Sequence, residues 1–134
     1  RAEAARLGVA DRLVMPGFLP DPHRYVGLFD VFALSSDSEQ FPISLVEAMG
    51  AGLPALSTDV GDVSAIVADA NRPFVIAHHD EAGLARALAQ LIGDPALRAD
   101  IGAANRIRVA GQFSKSSMIE RYRALYLGVA GMTQ

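Results

Sequence analysis

The sequence predicts an α/β fold, namely an open, doubly wound parallel sheet followed by C-terminal helices. Short, continuously apolar runs alternate along the chain with stretches of helical period, which indicates repeated strand–helix units. Strands that are apolar on both faces are typical of a parallel sheet covered by helices on both sides. The chain has 134 residues, of which 51% are hydrophobic and 20% are charged. This length and composition predict a single domain with one sizeable core.

The predicted elements begin with a helix over residues 1–7, which ends at Gly8, a residue type common directly after helix C-termini. Since neither a capping residue nor an initiator Met precedes this helix, we expect the protein to continue upstream of Arg1. The later strands are predicted at residues 13–19, 30–36, 54–58 and 74–77, and the later helices at residues 22–29, 42–51, 63–68, 81–92, 95–110 and 115–129.

The last predicted helix carries a stripe of large apolar side chains. Met118, Tyr122, Leu125 and Tyr126 are spaced three and four residues apart, so they share one face of the helix. We expect this face to pack in the core of the domain. Docking of the same face against a second domain or a partner is the alternative interpretation.

The composition excludes several classes of function. The chain has no cysteine, which rules out disulfides, thiol nucleophiles and cysteine metal ligands. Its net charge is −3 and Lys115 is its only lysine, so we expect no nucleic acid partner. Neither a membrane-spanning apolar run nor a secretory signal is present in the sequence, which predicts a cytoplasmic protein. Five arginines of the C-terminal helices are predicted to be exposed, with peripheral membrane contact as the alternative: Arg98, Arg106, Arg108, Arg121 and Arg123.

Residues 30–54 contain the most informative pattern, because an apolar strand there runs into a polar loop and then into a helix. In doubly wound sheets, ligands bind at the carboxyl ends of strands. Pro42 suits the first position of the helix, so the amides of Ile43, Ser44 and Leu45 are predicted to point unpaired into the crevice. Phosphate is the ligand best suited to such amides.

Two glutamates, Glu39 and Glu47, flank this predicted helix start with seven residues between them. Helical side chains lean toward the N-terminus, so the Glu47 carboxylate is predicted to reach back to the crevice, where it could accept from the hydroxyls of a ribose. Glu39 would stand nearer the group beyond the phosphates. On spacing alone the alternative is simpler: Glu39 is a solvated loop acid that favours the helix dipole, and Glu47 is a surface residue.

The whole string nevertheless resembles the nucleotide-sugar glycosyltransferases of family 4, which have the GT-B fold. Residues 39–54, EQFPISLVEAMGAGLP, are similar to the donor-binding signature of that family. The resemblance extends over nearly the whole chain and includes LGVADRLV at residues 7–14, PGF at 16–18, DVFAL at 30–34, TDVG at 58–61 and the segments 80–91 and 113–126. It implies a Rossmann-like, partial donor-nucleotide-binding domain over residues 1–134, without the N-terminal acceptor domain and the start of its own domain.

The resemblance also implies an activity, namely retaining transfer of a sugar from a nucleotide diphosphate sugar to an unknown acceptor. No cofactor or divalent metal is expected, and the chain contains no Asp-x-Asp motif. Glu39 would contact the sugar hydroxyls as the catalytic residue, Glu47 the ribose hydroxyls, and Phe18 and Leu19 would border the nucleobase. The sugar and diphosphate would be held by the segment Phe41, Pro42, Ile43, Ser44 and Leu45.

Some positions depart from the family pattern. Gln40 and Asp62 stand where glycine is common, and Ala65 stands where glutamate is frequent. Two alternatives therefore remain beside the transferase: a non-catalytic nucleotide-binding or protein-interaction module of the same fold, and an epimerase or phosphorylase of GT-B architecture. His78 and His79 are predicted to lie in a solvated loop rather than a metal site, because no third ligand accompanies them in sequence.

Overall fold

The sheet is open, parallel and three-stranded in the computed structural model, which describes residues 1–131 and the side chains of residues 1–128. Its strands lie in the order β1 (Phe32–Leu34), β2 (Ala55–Thr58) and β3 (Val75–Ile76). Ala33 lies beside Leu56 in the first pairing, and Ser57 lies beside Val75 in the second. The strands predicted at residues 30–36, 54–58 and 74–77 are thereby confirmed, with shorter bounds.

Six α-helices and four 3₁₀ turns are found among the described residues. The helices are α1 (Ala2–Arg6), α2 (Ile43–Gly50), α3 (Val63–Ile66), α4 (Glu81–Gly93), α5 (Pro95–Gln112) and α6 (Lys115–Gly131). Asp80 and Asp94 cap α4 and α5, because their carboxylates accept hydrogen bonds from the amides of Gly83 and Leu97. The 3₁₀ turns are Ala10–Arg12, Pro22–Arg24, Val26–Leu28 and Asp69–Phe74.

Two apolar clusters pack on opposite faces of the sheet. Helices α2 and α3 cover one face, and α4 with the first half of α5 covers the other. Adjacent residues of β2 point to opposite clusters, as strand geometry requires, so the doubly wound prediction is confirmed. The first cluster contains Leu45, Met49, Ala55, Val63, Ile66 and Val67, and the second contains Leu56, Phe74, Ala87, Leu91 and Ile101.

Two buried asparagines fix the end of the sheet at which β2 begins. Asn71 accepts a hydrogen bond from the Ala55 amide at 2.8 Å and donates one to the Ala55 carbonyl at 2.7 Å. Asn105, on α5, donates to the Leu53 carbonyl at 2.9 Å and to Asn71 Oδ1 at 2.8 Å. Since buried polar groups cost free energy unless they are paired, this network joins α5 to β2 and to the turn before β3.

The strand predicted at residues 13–19 is wrong. These residues, all within the described part of the chain, are exposed and have no regular secondary structure, and no backbone hydrogen bond joins residues 14–19 to another described residue. Pro16 lacks an amide hydrogen and Gly17 has a φ of 78°, so neither residue suits a regular ladder. The helix predicted at 22–29 is likewise two short 3₁₀ turns, Pro22–Arg24 and Val26–Leu28.

The apolar stripe of α6 also differs from its prediction. Met118, Tyr122, Leu125 and Tyr126 are all at least half exposed, so this face does not pack in a core of the described residues. Met118 and Tyr122 instead line one side of an open apolar groove whose other side includes Phe41 and Phe113. The helix itself is confirmed, but its stripe is exposed among the described residues.

Candidate functional site

The candidate site lies at the carboxyl ends of the parallel strands β1 and β2. Ser36, in the loop after β1, donates its hydroxyl to Oε1 of Glu39 at 2.8 Å. Thr58, the last residue of β2, donates its own hydroxyl to the Ser36 carbonyl at 2.6 Å. The two strand ends are therefore tied together, and the Glu39 carboxylate is oriented by a neighbouring side chain.

The loop after β2 approaches the loop that carries Glu39 very closely. Gly61 has a φ of 53°, and a Cβ added there would lie 2.3 Å from the Glu39 carbonyl and 2.6 Å from the Gln40 carbonyl. The amide of Asp62 donates to the Gln40 carbonyl at 3.0 Å. Only glycine fits this conformation and this space, so Gly61 sets the path of the loop before α2.

The first turn of α2 presents free backbone amides. Among the described residues, no acceptor pairs with the amides of Ile43 and Ser44. The prediction that the Leu45 amide is unpaired is wrong, because this amide donates to the Pro42 carbonyl at 3.1 Å in a 3₁₀-type bond. The Leu45 side chain is fully buried in the core. Pro42 also stands one position earlier than predicted, as the residue preceding the first helical residue. Two unpaired amides thus remain at the positive end of the helix dipole.

Glu47 lies one turn farther along α2 and is half-buried. It lines a cavity of about 230 Å³ beside the first turn of the helix, together with Ser44 and Leu19. Apolar side chains form the remaining wall: Pro22, Tyr25, Val26, Phe29 and Phe32. A carboxylate at the side of an apolar cavity is suited to orient a ligand by hydrogen bonds while the walls supply contact area.

The structure does not bring all of the predicted site residues together. Phe18 is 92% exposed and lies outside the cavity that Leu19 lines. Phe41 packs its ring edge-on against Phe113, with ring centroids 5.9 Å apart, and lines the groove beside α6 together with Ile43. Leu19, Ser44 and Glu47 therefore line the same cavity, whereas Phe41 and Ile43 line the separate groove beside α6.

Sequence reasoning missed Ser36 and Thr58 as site-shaping residues. Each is a small hydroxyl residue at or just after the end of a predicted strand. Such a hydroxyl can satisfy the carbonyl or the carboxylate of a neighbouring loop, and this is the signal that could have identified them.

Comparison with known proteins decides the family. The sequence profile of the glycosyl transferases group 1 matches residues 1–108. The chain belongs to this family. Its structure is similar to sucrose-phosphate synthase from Thermosynechococcus elongatus, with a TM-score of 0.88 at 22% identity over 98% of this chain. That likeness confirms the GT-B type of fold.

Two further similar proteins are informative. N-acetyl-alpha-D-glucosaminyl L-malate synthase of Bacillus anthracis is 27% identical over 123 residues, which is 92% of this chain and 32% of that protein. A mutant of S. aureus TarM, solved with fondaparinux, alpha-GlcNAc-glycerol and UDP, has a TM-score of 0.79 at 21% identity and covers 93% of this chain and 26% of that one. The chain spans about a third of the curated relative that it matches.

Within the described residues, no helix combines the length and the apolar character needed to cross a bilayer.

Proposed function

We propose that this chain is the donor-binding part of a retaining glycosyltransferase of family 4, which transfers a sugar from a nucleotide diphosphate sugar without a divalent metal. The observation that carries the proposal is the grouping of three features around the start of α2. These are the unpaired amides of Ile43 and Ser44, the oriented carboxylate of Glu39, and the cavity bordered by Glu47.

The helix start supplies the electrostatic part of the mechanism. When the bond between the sugar and the diphosphate breaks, negative charge builds on the leaving phosphate. The amides of Ile43 and Ser44 are fixed at the positive end of α2, so they stabilise that charge without reorganising as the reaction proceeds. Removal of one such donor costs about 100-fold or more in rate in other enzymes, so two aligned amides are a substantial contribution.

The two glutamates divide the donor between them. Glu47 lies beside the cavity that borders Ser44, where its carboxylate accepts hydrogen bonds from the ribose hydroxyls. Glu39 precedes the helix and is held by Ser36, so it contacts the hydroxyls of the sugar beyond the diphosphate. Leu19 borders the base. In this arrangement Ser36 is a positioning residue, because it acts on the donor through Glu39.

The test is calorimetric titration of UDP, GDP and ADP, and of their sugar conjugates, into the chain and into two variants. Glu47→Gln removes the charge and one acceptor from the proposed ribose site. Glu120→Gln makes the same chemical change at an exposed position of α6 and serves as the matched control. We expect Glu47→Gln to weaken nucleotide binding by about 10-fold or more, since hydrogen bonds to charged groups contribute about 1.5–3 kcal/mol.

The outcomes separate a nucleotide donor site from a module that binds no nucleotide. Selective binding of one nucleotide that is lost in Glu47→Gln and kept in Glu120→Gln supports the proposed donor site and names the base. Equal binding by both variants would reject the role of Glu47. An absence of nucleotide binding by the folded chain would instead favour a non-catalytic module that contacts protein partners.

A further inference from the structure

A second group of side chains, which carry atoms able to ligate a metal, lies at the carboxyl ends of the strands and outside the proposed donor site. Asp37 belongs to the loop after β1, whereas His78 and His79 belong to the turn between β3 and α4. Asp37 lies 41 residues before His78, so no local sequence pattern identifies it as a third ligand for the histidine pair. The fold brings them together because β1 and β3 run in the same direction on either side of β2, so their carboxyl ends lie at the same end of the sheet.

Their geometry is that of converging ligand atoms. Nε2 of His78 lies 3.3 Å from Oδ1 of Asp37. The rings of His78 and His79 lie with centroids 3.7 Å apart and are tilted by 34°, and one ligand atom from each of the three residues lies within 4.8 Å of the others. Adjacent side chains of a chain normally diverge, so this convergence requires a special backbone conformation.

That conformation is found at His79, whose φ is 65°. A non-glycine residue in the left-handed region costs about 1 kcal/mol or more and persists only where its surroundings hold it. Two hydrogen bonds of Asp80 hold the turn. Its amide donates to the Ala77 carbonyl at 3.1 Å, and its carboxylate caps α4 by accepting from the Gly83 amide at 2.7 Å. The Asp37 loop is anchored in turn through its neighbour Ser36, whose carbonyl accepts from Thr58.

We propose that Asp37, His78 and His79 bind a divalent transition-metal ion of the Zn²⁺ class. Two imidazole nitrogens and one carboxylate oxygen form a ligand set that Zn²⁺ accepts, with water in the remaining position. Around a tetrahedral zinc ion the ligand atoms stand about 3.3 Å apart, and the three ligand atoms here already lie within 4.8 Å of one another on exposed residues. The ion ties the loop after β1 to the turn after β3, and it takes no part in the proposed sugar transfer.

The experiment titrates ZnCl₂ into the chain by calorimetry near neutral pH, with MgCl₂ in a parallel titration. The variants are His78→Ala, His79→Ala and Asp37→Asn, all at exposed positions, and circular dichroism verifies that each is folded. His23→Ala is the matched control, since His23 is the remaining histidine of the chain and lies in the 3₁₀ turn Pro22–Arg24, outside the group. The readout is metal binding alone, so it is independent of nucleotide binding and of the proposed function.

We expect one Zn²⁺ per chain, with affinity reduced about 10-fold or more by each of the three substitutions and unchanged by His23→Ala. We expect MgCl₂ to give no binding at this site, because Mg²⁺ prefers oxygen ligands. The proposal is overturned if the chain fails to bind Zn²⁺, or if His78→Ala and His79→Ala bind it as tightly as the unchanged chain.

Discussion

Gly61 shows how a single missing side chain shapes the candidate site. Its φ of 53° and its position against the carbonyls of Glu39 and Gln40 leave no room for a Cβ atom. The loop after β2 can therefore rest directly on the loop that carries Glu39, and Asp62 completes the contact through its amide. The placement of Glu39 depends on this glycine as well as on the hydrogen bond from Ser36.

The substitution Gly61→Ala tests this dependence. We expect a loss of about 2–4 kcal/mol in the free energy of unfolding, because alanine adds both left-handed strain and a clash with backbone atoms that cannot easily move. Gly17→Ala is the matched control: Gly17 has a φ of 78°, but a Cβ there meets nothing within 4 Å, so only about 1–2 kcal/mol of strain is expected. Urea denaturation measures both. Equal losses would show that close contact at Gly61 is unimportant.

Single residues of the site could be predicted from the sequence to different degrees. The unpaired amides of Ile43 and Ser44 follow from the rule that the first turn of a helix lacks acceptors. The paired amide of Leu45 could not be predicted, because it depends on a tightened first turn that only the backbone conformation reveals. The contacts of Ser36 and Thr58 join loops distant in sequence, and local patterns carry no information on such pairs.

At the scale of elements, α5 is the helix that holds the domain together. Its early residues contact the cluster around Leu91, its later residues contact the cluster around Met49, and Asn105 lies between them in the buried hydrogen-bond network. Gly102 of α5 lies so close to the loop before β2 that an added Cβ would be 2.0 Å from the Gly52 carbonyl. This contact fixes the distance between α5 and the sheet.

Two glycine substitutions in α5 test that contact. Gly102→Ala is expected to lower the free energy of unfolding by about 2 kcal/mol or more, because the clash outweighs the helix-forming preference of alanine. Gly111→Ala, in the same helix, meets nothing within 4 Å and is expected to raise it by about 0.5–1 kcal/mol. Thermal and urea unfolding measure the difference. Stabilisation by both substitutions would contradict the close approach of α5.

The elements also show where sequence patterns fail. The three strands and the helices α2 to α6 could be predicted because continuously apolar runs and helical period are strong signals. Residues 13–19 have an apolar composition similar to that of a strand, but a strand needs a hydrogen-bonded neighbour, and the described residues offer none to this segment. The apolar stripe of α6 predicted burial, but its side chains are exposed. The spacing of apolar residues shows that they share one face of a helix and does not show what that face packs against.

At the scale of the whole molecule, the buried hydrogen-bond network and the candidate functional residues lie at opposite ends of the sheet. The asparagine network and α5 close the end where β2 begins. Glu39, the first turn of α2 and the Asp37–His78–His79 group all lie at the end where the strands finish. Parallel sheets bind ligands at that second end because every strand delivers a loop there, while helices and hydrogen bonds secure the opposite end.

The central claim is that the first turn of α2 binds the diphosphate of a nucleotide, and amide NMR shifts test it most directly. UDP, GDP and ADP are each titrated into the ¹⁵N-labelled chain while the backbone amides are followed. We expect one nucleotide to shift the Ile43 and Ser44 amides most, with smaller shifts at Glu47 and Leu19 beside the cavity. Unchanged Ile43 and Ser44 amides at saturating concentrations of all three nucleotides would contradict the account.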